Sequence, residues 1–291
     1  MAEPARLDWN RVMAQHNDEI LVLAATGKTG RRVVERLRAA GARVRPVSRS
    51  STIRFDWSDR TTWAPALTGA GTVYLVAPEE PEPVADFVEQ AVAAGVRRFV
   101  ALSGRGIEHI DEHFGQGMAA AEAAVRDSGV EWTILRANNF LQNFTEDLWH
   151  APLLTGRLGL PVDGILEPLI DVEDIAAVAA TVLVEPGHTG RIYELSGPRR
   201  LSYPEAVAII AAAAGREIRF EELTPEQYRA ELRAEGWDEV GVAAMDSLFA
   251  VMRAGHLSDL ADGVQRVLGR APTSIEEWAG KAAATGIWSR P

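Results

Sequence analysis

The sequence predicts an α/β chain built on a doubly wound parallel sheet, with a smaller and mostly helical lobe attached. Three observations carry this expectation. Short apolar runs alternate with helical patterns from residue 19 to residue 197 of the 291-residue chain. The first run ends in a glycine turn that opens a helix, and beyond residue 197 the strand signals thin out and helices take over.

Residues 1–18 lack clear periodicity around Trp9 and Val12 and are expected to form an arm. Residues 19–24 (EILVLA) have the continuous apolarity of a parallel strand buried on both faces. A helix follows, with Val33, Val34 and Leu37 on one side and Gly41 at its end, and residues 43–48 give a second strand. Strand, glycine turn, helix and strand make one βαβ unit.

The rhythm continues with a strand at 72–77, a helix at 84–94, a strand at 98–103, a helix at 118–128 and a strand at 132–136. Residues 169–172 precede a helix beginning near Glu173 and Asp174, with Asp171 and Asp174 as its capping groups, and 191–195 form a late strand. This alternation predicts a Rossmann-type core over 19–150, with 165–197 returning to the sheet. Residues 151–164 read as irregular. With helices expected at 203–214, 225–235, 242–254 and 275–284, residues 151–164 and 198–291 form the substrate lobe over the carboxyl ends of the strands.

Composition narrows the chemistry. With no cysteine, disulfide scaffolds, thiolate metal sites and cysteine nucleophiles are excluded, and no His/Asp/Glu cluster has metal-ligand spacing. Forty-one acidic against 30 basic residues, for a net charge of −11, argue against a nucleic-acid partner. No apolar run approaches ~18 residues and the N-terminus is mixed and charged, so neither a membrane span nor a signal peptide is expected and the location is expected to be cytoplasmic. Only Lys28 and Lys281 among the basic residues are lysine.

Ala24-x-x-Gly27-x-x-Gly30 stands where a dinucleotide turn belongs, after a strand and before a helix. Gly27 lets the backbone approach a pyrophosphate, Gly30 lets helix and strand pack closely, and Thr26, Lys28 and Thr29 border the helix N-terminus. The first glycine of the pattern is Ala24 here. A P-loop is disfavoured, because Val22 occupies the position five before Gly27 in an apolar, strand-like stretch. An NAD enzyme would place an acid at the end of the second strand. Arg49 and Ser50 stand there instead, with Arg31 or Lys28 in support, and suit the 2′-phosphate of NADPH. Ala77, closing the third strand, belongs to the same cofactor set.

Several blocks together resemble the NmrA-like branch of the atypical short-chain dehydrogenases. They are AATGKTG at 24–30, FVALS at 99–103, SGVEWTILR at 128–136 running on into NNFLQN at 138–143, and IDVEDIA at 170–176. The ending, EEWA at 276–279 to ATGIW at 284–288, is similar to the ergot-alkaloid reductase subgroup. The resemblance covers residues 19–288 and implies a Rossmann core carrying NADP with a small helical substrate lobe, in a family of both reductases and redox sensors.

The resemblance also implies a Tyr-x-x-x-Lys pair for proton transfer, and this chain lacks it. Four residues after Tyr74, Tyr193, Tyr203 and Tyr228 stand Pro78, Gly197, Val207 and Leu232. Aligned on Glu122 and Gly129, the two positions fall on Phe114 and Met118, which cannot move a proton and are placed with the substrate. Ser103 matches the family serine that binds a substrate carbonyl, or else simply closes its strand. His109 and His113 in the next loop are either proton donors or solvated loop residues. Asn138 and Phe140 are expected on the cofactor at its nicotinamide end, and Asn139 and Asn143 on the substrate.

Three readings fit a missing pair. The first, by a narrow margin, is an NADPH-dependent ketoreductase of a polycyclic aromatic polyketide with substrate-assisted proton transfer. The second is an iminium reductase acting on an alkaloid, whose cation is neutralised by hydride. The third is a non-catalytic NADP-responsive regulator. Trp237, Phe249, Met252 and Trp278 either line a roomy apolar pocket or fill the core of the lobe.

Overall fold

The computed structural model describes residues 19–289, so the expected arm over 1–18 lies outside the described residues. Six strands form one sheet in the order β2-β1-β3-β4-β5-β8, every neighbouring pair parallel. They are β1 (Glu19–Val22), β2 (Val44–Pro46), β3 (Ala70–Val76), β4 (Arg98–Gly104), β5 (Glu131–Ala137) and β8 (Arg191–Leu195). The order reverses direction at β1, so the crevice between the ends of β1 and β3 is the topological switch point.

Alternation along the strands builds two cores. Ile20 and Val22 of β1 face one side, with Val33, Val34 and Leu37 of α1 (Lys28–Ala39) and Ile175, Val178 and Val182 of a later helix (Val172–Val184). Leu21 and Leu23 face the other, with Phe87 of the helix Glu82–Ala93 and Val125 of the helix Gln116–Asp127. Strands buried on both faces read as unbroken apolar runs, which is why the sequence showed them clearly.

The lobe differs from expectation. Residues 151–164 are not irregular: a helix (His150–Thr155) leads to β6 (Arg157–Leu160), which pairs in parallel with β10 (Arg219–Glu222). β7 (Leu166–Glu167) pairs antiparallel with β9 (Leu201–Ser202). A short helix at Trp63–Leu67 and another at Gly263–Leu268 were also unforeseen. These elements are too short to show a period, and the strands find partners distant in sequence.

The helices Tyr203–Ala214, Pro225–Ala234, Glu239–Arg253 and Ile275–Ala284 lie close to their expected places. Phe249, Met252 and Trp278 fill the lobe core beside Trp149 and Trp288, and the half-buried Trp237 packs against it; Trp278 and Trp237 also each border a cleft, whereas Phe249 and Met252 are wholly core. Among the described residues no helix is long and apolar enough to cross a membrane.

Candidate active site

The turn after β1 is set by Ala24, whose φ of 49° is left-handed. Its carbonyl thereby swings to accept from the Gly27 N–H at 2.8 Å. Gly30 then passes so close that a Cβ there would lie 2.2 Å from the Ala24 oxygen, and only glycine fits. Gly27 caps α1 with no side-chain cap bond, and no acid occupies the first turn. Thr26 and Gly27 are exposed while Thr29 is buried beneath the turn, so unmatched N–H groups and partial positive charge face outward.

At the end of β2, the Ser48 hydroxyl lies 2.7 Å from that of Ser51 and 3.3 Å from that of Ser50. Arg49 beside them is exposed and makes no ion pair among the described residues. An uncapped helix start, a glycine cradle and a free guanidinium among hydroxyls fit the pyrophosphate and the 2′-phosphate of NADPH.

Lys28 and Arg31 are paired with acids of another segment. Lys28 Nζ donates to Asn143 Oδ1 at 2.9 Å, pairs with Asp147 and lies 5.6 Å from the centroid of the Phe140 ring. Arg31 pairs with Glu146. The ammonium thus straps the segment after β5 onto α1, with Asn143 Oδ1 as one of its acceptors.

Ser103 is also redirected. It is 3% exposed, and its hydroxyl donates to Glu122 Oε1 at 2.7 Å. Arg136 grips the same carboxylate through Nε and Nη2, each at 2.8 Å, and also pairs with Glu108. Burial pushes the Glu122 carboxyl up, but the bonds from Arg136 and Ser103 outweigh it and hold it below the usual range. Glu122 takes the one proton Ser103 has to give.

The histidines face the lobe. The His109 ring stacks on His256 at 3.6 Å and 12°. His113 is exposed, its backbone N–H bound to Asp111, whose other oxygen accepts from Ser247 at 2.7 Å. Neither histidine bonds to Ser103.

Phe114 and Met118 are half-buried. A Cβ on Gly104 would lie 3.5 Å from the Met118 methyl, and one on Gly117 only 1.7 Å from the Pro78 carbonyl. Gly117 therefore lets the first turn of its helix abut the end of β3 beside the half-buried Ala77.

Asn138 ties the end of β5 to the lobe: it is buried, its Nδ2 donates to the Leu257 carbonyl at 2.8 Å, and its Oδ1 accepts from the Asn139 N–H. Asn139, half-buried at the end of β5, donates from Nδ2 to Glu167 Oε2 at 2.9 Å. Asp171 caps its helix as expected, accepting from Glu173 N–H, whereas Asp174 binds Arg270 and the Thr273 N–H. Sequence reasoning missed Glu167, Tyr203 and Gly117. Glu167 carries no motif signal, but Gly117, at the start of the helix, could have been flagged as a close backbone approach.

Among the described residues no group of acids and histidines could hold a metal. A separate cleft of about 910 Å³ lies between α1 and the C-terminal helix, away from the glycine turn. Its charges pair with one another, as in Arg270 with Asp174 and Lys281 with Glu277.

A parallel sheet of this order, with an open anion cradle at its switch point, defines a Rossmann-type dinucleotide-binding protein. The chain belongs to the NmrA-like family, whose model matches residues 16–279. It is 32% identical to the NAD(P)H azoreductase of Xenophilus azovorans over 89% of this chain and 96% of that one. It is 31% identical to festuclavine synthase I of Penicillium roqueforti, over 90% and 93%. The fold is that of the Escherichia coli NADPH-dependent quinone oxidoreductase complexed with NADPH, with a TM-score of 0.78 and 21% identity, over 90% of this chain and 99% of that one.

Proposed function

We propose that this NADPH-dependent oxidoreductase directs hydride onto a flat, electron-poor conjugated acceptor and draws the matching proton from the substrate or solvent. What supports the reading is that none of the four tyrosines has a lysine four residues on, that the half-buried Phe114 and Met118 stand at the positions the family resemblance assigns to the pair, and that the Ser103 hydroxyl donates to Glu122. NADPH would supply the hydride from its nicotinamide. The chain binds the phosphates at the start of α1 and at Arg49 and Ser50, and straps the segment after β5 with Lys28.

The missing acid selects the acceptor. Hydride on an isolated ketone makes a localised alkoxide, and lacking a general acid there costs typically ~10²–10⁴-fold. An iminium is neutralised by hydride, and a quinone spreads the new charge over its ring. A polycyclic aryl ketone belongs with them when a neighbouring phenol supplies the proton by proximity. The ketone thus loses its narrow lead and becomes one member of a wider acceptor class. Relatives named for azo bonds and quinones support that class, and their reductase names favour catalysis over a purely sensing role.

The test is NADPH oxidation with a panel: a naphthoquinone, a cyclic iminium, an azo dye, and an aryl ketone with and without an adjacent phenol. Turnover is expected with the first members and with the phenol-bearing ketone. Preference for the ketone without the phenol would overturn the reading.

A further inference from the structure

A further cavity, of about 520 Å³, opens between the helix His150–Thr155, β6 and the helix Pro225–Ala234. None of the residues lining it belongs to the glycine turn, to Arg49 and Ser50, or to Phe114 and Met118. Its volume suits a small organic molecule, and its walls are of the matching kind. Trp149, Tyr228 and Trp237 supply aromatic rings, while Leu148, Leu158 and Leu232 supply aliphatic surface.

The charges on the walls are one-sided. Asp147, Glu231 and Glu235 line the cavity against a single cation, Arg157. That guanidinium is already occupied: Glu221 holds Nε at 2.8 Å, and the two oxygens of Glu231 hold Nη1 and Nη2 at 3.0 and 2.6 Å. Asp147 is paired with Lys28. Glu235 is exposed and makes no ion pair among the described residues.

Tyr228 points to the same chemistry. It is 7% exposed, its ring is fixed edge-to-face on Phe249 at 5.1 Å, and its hydroxyl makes no hydrogen bond among the described residues. Burial first, and then the charges of Glu235 and Glu231, push the phenol up, so it stays neutral with both carboxylates near enough to act on it. A buried hydroxyl without a partner is costly, and its oxygen is a ready acceptor. Aromatic faces favour a cation laid against them. A protonated amine answers all of these at once, since its N–H groups donate to the Tyr228 oxygen and the Glu235 carboxylate. An anion would meet three carboxylates, and a neutral apolar molecule would leave them unanswered.

We propose that this cavity is a second ligand site, apart from the crevice of hydride transfer, that binds an amphipathic protonated amine. Glu235 and Tyr228 hold the ammonium, and the tryptophans and leucines take the apolar body. The inference stands on the cavity alone and does not need the acceptor class proposed above.

Calorimetric titration of the NADPH-loaded protein with phenethylammonium, with the neutral phenethyl alcohol and with phenylacetate tests it. The ammonium is expected to bind more tightly than the alcohol, and phenylacetate not at all. Glu235→Gln should weaken the ammonium by about 3-fold, the scale of an exposed charge pair, and Tyr228→Phe by about 3- to 10-fold, with the Kd for NADPH unmoved in both. In NADPH oxidation assays the amine should leave the KM for a naphthoquinone unchanged. No binding, equal binding of ammonium and alcohol, or affinities unaltered in both variants would overturn the proposal. Competition between the amine and the naphthoquinone would overturn it too, by placing the amine in the crevice. If no acceptor is reduced while the amine binds as expected, the acceptor class fails and the second site stands.

Discussion

Replacing Arg136 by methionine measures what lies beneath Ser103. The guanidinium makes two bonds of 2.8 Å to Glu122, and the two side chains are 10% and 3% exposed. Removing one partner of a buried pair leaves an uncompensated charge and costs roughly 3–5 kcal/mol. Arg126 stays on Glu122 but is 36% exposed, so the lower figure, about 3 kcal/mol near neutral pH, is expected. The pH dependence follows from the sign of the shift. Folded Glu122 is held below its unfolded value, so its contribution is present above that value and lost as pH falls. Without Arg136, burial prevails, the folded carboxyl rises, and protonation relieves the buried charge. The penalty should therefore shrink toward pH ~5. Urea unfolding at both pH values measures it, with Glu122→Gln/Arg136→Met as the control expected to recover most of the loss. A cost under ~1 kcal/mol near neutral pH, or one that does not change with pH, would refute this reasoning.

Three further outcomes follow from the turn and its surroundings. Arg49→Ala should weaken NADPH binding by about 10- to 100-fold, as expected for loss of a charged hydrogen bond, and leave NADH nearly unaffected in a fluorescence titration. Gly30→Ala drives a methyl against the Ala24 carbonyl, so calorimetry should show a loss of about 1–3 kcal/mol and titration a weaker hold on NADPH. Ala24→Gly removes a left-handed alanine whose strain is roughly 1–2 kcal/mol, partly offset by unfolded-chain entropy, and a small rise in Tm is expected.

The sheet was legible because each of its central strands is buried on both faces, and the glycine turn because its residue types are dictated by one backbone path. Gly30 is the clearest case, since no other residue fits beneath Ala24. The cofactor set was legible in part. Arg49 makes no ion pair among the described residues, but a sequence does not say whether a cation is already paired, and Lys28 and Arg31 are. Ser103 and Asn138 sit at the strand ends where family pattern placed them, yet their side chains point to Glu122 and Leu257, partners fixed only by tertiary packing. Glu167 was illegible for the same reason: a two-residue strand has no period, and its partners lie 28 and 36 positions away.

The central claim is that no side-chain acid takes part in the reduction. Single-turnover oxidation of bound NADPH by a naphthoquinone, compared between the wild type and the triple variant Ser103→Ala/His109→Ala/His113→Ala, tests it most directly. The account predicts rates within about 10-fold of each other. A loss of ~10² or more, as removal of a true general acid gives, would contradict it.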